Sequence, residues 1–443
     1  MAGRIGFLLS LCWVLTAGTR AADWPQFMGA DQNGVCAETG LMKTWPGNGP
    51  EQLWSAEVGN GYGGVAVVGN EVFLLDRILD KKDALRCLGL ADGKELWRYE
   101  YDAPGRLSHD GSRSTPTVTE KHVYTIGPHG HVKCIDRSTH KPVWDRNVLE
   151  EFDAKKPRWG VAQSAVLYEG SVVITPMSAK AGVVALDQAT GKERWRSPGV
   201  TNLAYVTPRI ANLAGADQLV TIGAWRMKPK DGKRPRRGHR EFDGKPPPWV
   251  KLARCSVIGV AADDGRLLWT YSDWHCANPI PMPFPVGDDR ILITGGYFAG
   301  SVMLKIGREA DDYTVSVLWK NAELGSQIAY PVLHEDHLYM ICNGNFVKNG
   351  LACLDLDGKT KWKTGKDPEL DRGHLLPAEG LIYTLDGAKG LLRLIEPSPN
   401  GYKEIARKKV FSGPELWSPL TIAGGRLFVR GPKVLSCLDV RRK

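Results

Sequence analysis

The 443-residue sequence has no two cysteines adjacent and none separated by two residues, so it offers neither a vicinal thiol pair nor a Cys-x-x-Cys zinc or haem site. It also lacks a Gly-x-Ser-x-Gly elbow, a Walker loop and a His-Glu-x-x-His helix, which removes common sequence-borne signatures of hydrolase, nucleotide and metalloprotease chemistry. The ten histidines are scattered, and the group at His129 and His131 falls in a turn where exposure is expected. Beyond residue 15 no apolar run is long enough to cross a bilayer. Helical periodicity is missing too. Fifty glycines, 28 prolines and 15 tryptophans favour many short strands joined by tight turns and exclude a helix bundle.

The start of the chain has Arg4, the apolar stretch Ile5 to Leu15 and the small residues around Thr16 to Ala22. This is the layout of a secretory signal peptide, with cleavage expected after Ala21 and a periplasmic or extracellular destination. Cys12 is a poor acylation site because bulky Leu11 precedes it. Of the remaining cysteines, Cys87, Cys134, Cys353 and Cys437 occupy one position of an internal repeat. Such positions lie too far apart for a disulfide, whose Cα atoms must come within about 7 Å, and read as small core residues. Cys255 and Cys276 flank a hairpin and could meet at one end of it as a disulfide.

The formal charge of +9 is concentrated. Residues 224 to 251 hold ten Lys or Arg against three acids, a local excess of +7. Arg226, Lys228, Lys230, Lys233, Arg234, Arg236, Arg237 and Arg240 are its candidate polyanion contacts. Clustered charge of this kind attracts an anionic envelope polymer or an acidic protein; export argues against nucleic acid. The alternative is a solvated insertion tolerated on a rigid frame.

The dominant signal is a repeat that ends in tryptophan: Trp54, Trp97, Trp144, Trp195, Trp269, Trp319 and Trp362, with Ile405 in the eighth slot. In four repeats a turn glycine (Gly93, Gly191, Gly265, Gly358) precedes the tryptophan by four residues, marking a hairpin with an aromatic on its second strand. Two more apolar runs precede each hairpin, as in Pro116 to Val118 and Val123 to Ile126. A four-stranded unit of about 40 to 50 residues is the period of a propeller blade. The last repeat has three strands (Ser418 to Ile422, Leu427 to Arg430, Val434 to Leu438), whereas Gln52 to Ala56 has a fourth-strand signature and nothing before it. The expected fold is therefore an all-β, eight-bladed propeller of antiparallel blades, closed by an N-terminal strand that completes the last blade. The layout is a signal peptide at 1–21, an extension at 22–51 packing on the ring, and one propeller at 52–443 with the basic insertion 224–253 in blade four.

The phrases Val183-Val184-Ala185-Leu186-Asp187-Gln188-Ala189-Thr190-Gly191-Lys192-Glu193-Arg194-Trp195 and Cys353-Leu354-Asp355-Leu356-Asp357-Gly358-Lys359-Thr360-Lys361-Trp362 resemble the repeat of the PQQ-like β-propeller superfamily. The opening Asp23-Trp24-Pro25-Gln26-Phe27-Met28-Gly29 is similar to the start of many exported members. The resemblance lies nearer to the non-enzymatic BamB-like branch than to the quinoprotein dehydrogenases. It implies a non-catalytic binding or scaffolding module, expected as a monomer without cofactor. The enzyme branch would imply PQQ held with calcium, a vicinal cysteine pair and acidic metal ligands, acting on alcohols or sugars. Neither the cysteine pair nor an insertion carrying acidic ligands is found in the sequence.

Residues just before each blade's innermost strand should line the channel mouth. Tyr62, Arg113, Gln163, Tyr205, Asn278, Gln327, His374 and Trp417 hold such positions, with Trp159 nearby. The set is polar and aromatic, as suits a peptide, sugar or small ligand, although any solvated mouth is polar.

Deleting residues 226 to 251 is expected to leave the melting temperature almost unchanged and to abolish salt-sensitive retention on a polyanion column. Loss of folding would contradict a projecting loop.

Overall fold

Glycine turns reverse the chain where the sequence places them. Gly93, Gly191, Gly265 and Gly358 all take positive φ, between 67° and 80°. A computed structural model describes residues 22–201, 205–226, 253–344, 347–413 and 415–442. The signal-peptide segment lies outside the described residues. Eight four-stranded antiparallel sheets form, seven with their strands in simple meander order and the eighth with three consecutive strands joined by the first strand of the chain. Blade 1 consists of Ala66–Val68, Glu71–Ile78, Lys82–Gly89 and Glu95–Asp102. The first strands of blades 2 to 8 are Thr117–Val118, Val166–Tyr168, Arg209–Leu213, Phe284–Val286, Val332–His334, Leu375–Ala378 and Thr421–Ala423. Second and third strands are almost wholly buried, whereas fourth strands alternate toward solvent. The first strands are therefore innermost and the fourth strands form the rim.

The ring closes as the repeat implied. Gln52–Glu57 pairs antiparallel with Val434–Asp439, giving blade 8 its fourth strand. A second latch spans the same seam. The Arg430 guanidinium, 1% exposed, meets Asp76 of blade 1 at 2.6 Å and donates to the carbonyls of Gly63 and Leu75. Gly61 leaves the room, since a Cβ there would lie 2.2 Å from the Arg430 guanidinium.

Neighbouring blades are keyed by indole on glycine. A Cβ on Gly93 would stand 2.5 Å from the Trp54 ring, on Gly191 2.6 Å from Trp144, on Gly265 2.3 Å from Trp195 and on Gly358 2.5 Å from Trp319. In each case the tryptophan belongs to one blade and the glycine to the next. The indole N–H is also satisfied across the seam: Trp54 donates to Leu90 O at 3.0 Å, Trp144 to Gln188 O at 3.0 Å and Trp319 to Leu356 O at 2.8 Å. Where the turn glycine is absent the dock changes. Trp97 stacks on His140 at 4.4 Å, and Trp269 turns into its own blade, donating to Gln218 Oε1 at 2.6 Å. On the third strand the tryptophans of blades 1, 2, 6 and 8 pair with Cys87, Cys134, Cys353 and Cys437, all buried free thiols.

Three sequence expectations are corrected. The eighth repeat slot belongs to Ala406, which pairs with Leu394, while Ile405 is the bulged residue beside it. The first strand of blade 8 begins at Thr421, three residues later than Ser418, because the preceding residues enter the mouth. Cys255 and Cys276 form no disulfide; both are buried free thiols, and Cys255 Sγ donates to the Cys276 carbonyl at 3.1 Å.

Residues 22–51 do more than lie on the ring. Trp24 exchanges both backbone hydrogen bonds with Val67 of the first strand of blade 1, at 2.8 Å each. Pro25 O accepts from Val118 N of blade 2, and Cys36 N donates to Pro377 O of blade 7. Gln32 O accepts from Arg209 of blade 4, and Phe27 and Met28 pack among Val206, Ala211 and Leu213. The segment therefore occupies the bore, satisfying inner-edge groups that would otherwise lack partners. It leaves past the far-side turns, where Glu38 accepts from Gly424 N and Gly425 N, and continues to the rim as the closing strand.

In blade 4 the second and third strands, Ala216–Arg226 and Ala253–Ala261, stay paired out to Arg226 and Ala253. Residues 224–226 and 253 of the basic insertion thus continue the ladder; Lys228, Lys230, Lys233, Arg234, Arg236, Arg237 and Arg240 lie outside the described residues.

Gly358→Ala is expected to cost about 2–4 kcal/mol in urea unfolding, through φ strain plus a clash with the Trp319 ring. Gly380→Ala, at φ 81° with nothing within 4 Å, is the control and should cost only about 1 kcal/mol. Equal losses would mean that the indole dock contributes little.

Candidate binding site at the channel mouth

One residue per blade builds the mouth, and its offset is regular. The fourth residue before the first strand faces the cavity in blades 1 to 6 and in blade 8: Tyr62, Arg113, Ala162, Tyr205, Ile280, Ile328 and Trp417. Blade 7 contributes Arg372 and His374. Together with Trp159, Tyr297, Gln327, Tyr330, Glu415 and Phe27 these enclose a cavity of about 440 Å³, within the size range of small-molecule sites. The linkers are held by a relay of hydroxyls: Gly64 N donates to Thr115 Oγ1, Thr115 N to Ser164 Oγ and Ser164 N to Thr207 Oγ1, all at 2.9–3.0 Å.

Seven of the nine residues expected at the mouth line this cavity: Tyr62, Arg113, Trp159, Tyr205, Gln327, His374 and Trp417. Gln163 and Asn278 do not. Gln163 sits one residue past the facing position and clamps Thr175, whose N–H and hydroxyl donate to its Oε1 at 2.6 and 2.7 Å. Asn278 lies two residues short of Ile280 and is buried. Sequence reasoning missed His109, Glu415, Arg372, Tyr297 and Tyr330. The repeat offset itself would have found Ala162, Ile280 and Ile328.

The aromatic wall is stacked. Tyr62 lies on Trp417 at 5.4 Å and 27°, the Arg113 guanidinium stands 5.7 Å from the Tyr62 ring, and that of Arg372 stands 4.9 Å from the Trp417 ring. Guanidinium, phenol, indole and guanidinium thus succeed one another. His109 meets Trp417 edge-on at 5.6 Å. Glu415 Oε2 accepts from the Tyr62 hydroxyl at 2.9 Å and faces His109 Nδ1 at 3.3 Å. Burial, then this carboxylate, pushes the Tyr62 hydroxyl well above its ordinary pKa. Across the cavity Trp159 contacts Tyr205 at 5.4 Å. Tyr297 comes from the turn between the second and third strands of blade 5, where it and Phe298 both take positive φ, 59° and 64°. Non-glycine residues pay of order 1 kcal/mol each for this conformation. The turn fixes Tyr297 over the mouth, its hydroxyl accepting from Gln327 Nε2 at 3.3 Å. Because this turn reaches the cavity, second-to-third-strand turns share the mouth's face, the side on which the described part of the blade 4 pair ends at Arg226 and Ala253.

Below, Phe27 meets Tyr330 edge-on at 5.2 Å, so the cavity has a floor. His374 donates through Nε2 to the Trp417 carbonyl at 2.7 Å, joining the linkers of blades 7 and 8. Burial lowers its pKa to about 4, which keeps it neutral. Burial also lowers the Arg113 guanidinium to about 10.

A quinone held beside calcium needs several oxygen donors around the ion. Among the described residues Glu415 is the one carboxylate lining the cavity, and it is engaged by Tyr62 and His109. Among the described residues no three His, Cys, Asp or Glu side chains form a metal-binding group. This donor set does not fit a calcium-supported quinone.

Residues 47–198 and 128–234 match the family model of "Outer membrane protein assembly factor BamB". The eight blades and their repeat settle the fold. The chain is an eight-bladed β-propeller with a PQQ-like repeat. A 90-residue segment of this propeller is 36% identical to the outer membrane protein assembly factor BamB of Xanthomonas campestris pv. campestris, covering 20% of the chain and 22% of that relative's length. The crystal structure of BamB from Moraxella catarrhalis superposes with a TM-score of 0.56 at 14% identity, over 89% of this chain and 98% of that one. Quinohemoprotein alcohol dehydrogenase from Comamonas testosteroni superposes with a TM-score of 0.62 at 11% identity, over 95% and 81%. These superpositions establish the shared fold alone.

The folded pKa of His374 lies below its free value of 6.5. The stability linked to it is therefore complete above pH 6.5 and is lost as pH falls toward 4. His374→Asn is expected to show a shallower fall in the urea midpoint between pH 6.5 and 4 than the parent. Asp83, raised to about 6 by burial, has the opposite sign and is common to both proteins. Equal slopes would clear His374 of this role.

Proposed function

We propose that the chain is an exported, non-catalytic propeller that acts as a binding or scaffolding module for a protein or an anionic envelope polymer, in the periplasm or outside the cell. The observation that carries this reading is the build of the mouth: stacked aromatic rings and fixed guanidinium groups over a bore filled by residues 24–36. These groups hold and orient a ligand. The sequence likeness to the assembly factor supports a protein partner engaged in outer-membrane protein assembly. No helix among the described residues is long and apolar enough to cross a membrane.

A PQQ-dependent oxidoreductase acting on alcohols or sugars is the second reading, favoured by the fold shared with the quinohemoprotein enzyme. Addition of PQQ and calcium followed by dye-linked oxidation of alcohols and sugars separates the two. No turnover is expected, and measurable turnover would reverse the order. In capture from the native envelope, Arg113→Ala and Trp417→Ala are each expected to weaken retention of the partner at least tenfold; undiminished capture would remove the mouth from the contact.

A further inference from the structure

The mouth has two chemically different arcs. In blade order 7, 8, 1 and 2 the facing residues are Arg372, Trp417, Tyr62 and Arg113, the stacked cationic wall. Opposite them, blades 3, 5 and 6 present Ala162, Ile280 and Ile328. A ligand that fills the cavity therefore meets two guanidinium groups on one side, where the Glu415 carboxylate is engaged by Tyr62 and His109, and on the other Ala162, Ile280 and Ile328 with the ring of Tyr205 from blade 4.

The two guanidinium groups differ in what they already hold. Arg372 is engaged by its neighbour Asp371, with Nε at 3.0 and 3.1 Å from the carboxylate oxygens. Arg113 donates to the backbone carbonyls of Gly111 and His109, and no ion pair with a carboxylate is found for it among the described residues. A largely desolvated guanidinium without a counter-charge costs free energy that a bidentate carboxylate returns. The Trp417 indole N–H, buried in the same wall, also has no acceptor among the described residues. The floor formed by Phe27 and Tyr330 stops a ligand from running on down the axis, so what enters must end inside.

We infer that the mouth cavity is a receptor for a carboxylate borne on an apolar body, its carboxylate taken by Arg113 and its body laid against Ile280 and Ile328. Two sources carry this chemistry: the C-terminal residue of a peptide and a free hydrophobic acid. The inference deepens the binding reading above and depends on it. The floor keeps any occupant from threading down the axis.

The test uses the full exported chain, titrated calorimetrically with 3-phenylpropionate and its amide, and with acetyl-Gly-Gly-Phe as acid and amide. Each acid is expected to bind at least tenfold more tightly than its amide. Arg113→Gln should abolish that preference, bringing acid and amide to equal affinity. If that variant fails to fold, Ile328→Glu serves instead and should weaken acid binding at least tenfold by repulsion. Tighter binding of the peptide acid would identify a chain terminus as the source, and tighter binding of phenylpropionate a free acid; either supports the inference. Equal binding of acid and amide, or no saturation by any probe, would overturn it and leave the scaffolding reading standing. Turnover with PQQ would end the non-catalytic reading without touching the acid-to-amide ratio.

Discussion

The structure depends on a sheet having two faces and a blade having nothing of its own to cover them. Each face must be covered by the next blade, and the contact is keyed where an indole lies flat on a turn that has no Cβ. Glycine serves twice there, supplying positive φ for the reversal and vacating the space the ring fills. The indole N–H finds a carbonyl of the same neighbouring blade, so burying the polar edge leaves no unpaired donor at those seams. Blade 4 shows the dependence by exception: facing a long outer hairpin that reverses at Ala310 and Asp311, Trp269 folds back on Gln218.

The fold was legible in the sequence because this contact is local in spacing. A glycine four residues before a tryptophan marks the outer hairpin in four repeats, and the seven repeat tryptophans with one further slot give the blades. The surplus strand at Gln52 and the missing strand after Leu438 then imply closure. Ile405 was placed one position off because a bulge in every outer hairpin shifts the register, and without a tryptophan nothing in the sequence marks which residue is extruded. The sequence placed residues 22–51 as an extension packing on the ring, but their path through the bore could not be read from it. Trp24, Phe27 and Met28 stand at i, i+3 and i+4, a helical spacing that points away from the extended path they take, and their partners lie on the inner strands of several blades.

The site was legible as a position but not as a geometry. Any residue preceding an inner strand lies near the axis, which is why seven of the nine expected residues line the cavity. Whether a side chain faces the cavity or the blade depends on an offset of one, and Gln163 beside Ala162 shows how far the roles diverge: one clamps a strand, the other faces a ligand space. Tyr297 was invisible because it comes from a turn on another strand pair, held over the mouth by a left-handed backbone that its sequence, Gly-Gly-Tyr-Phe, does not advertise. Glu415 and His109 are distant in the chain and meet only when the seam closes.

That seam has a bearing on the order of events during synthesis. Residues 52–57 emerge early and have no strand to lie against until residues 434–439 arrive at the very end. Over that interval they present an open ladder edge to whatever else is nearby, and the axial segment before them has no bore to enter. Seven sheets can assemble as they appear, but the mouth, which needs the linkers of blades 7 and 8 beside those of 1 and 2, comes into being only with the final stretch of chain. A polypeptide caught unfinished would therefore carry nearly all of the propeller without a closed mouth.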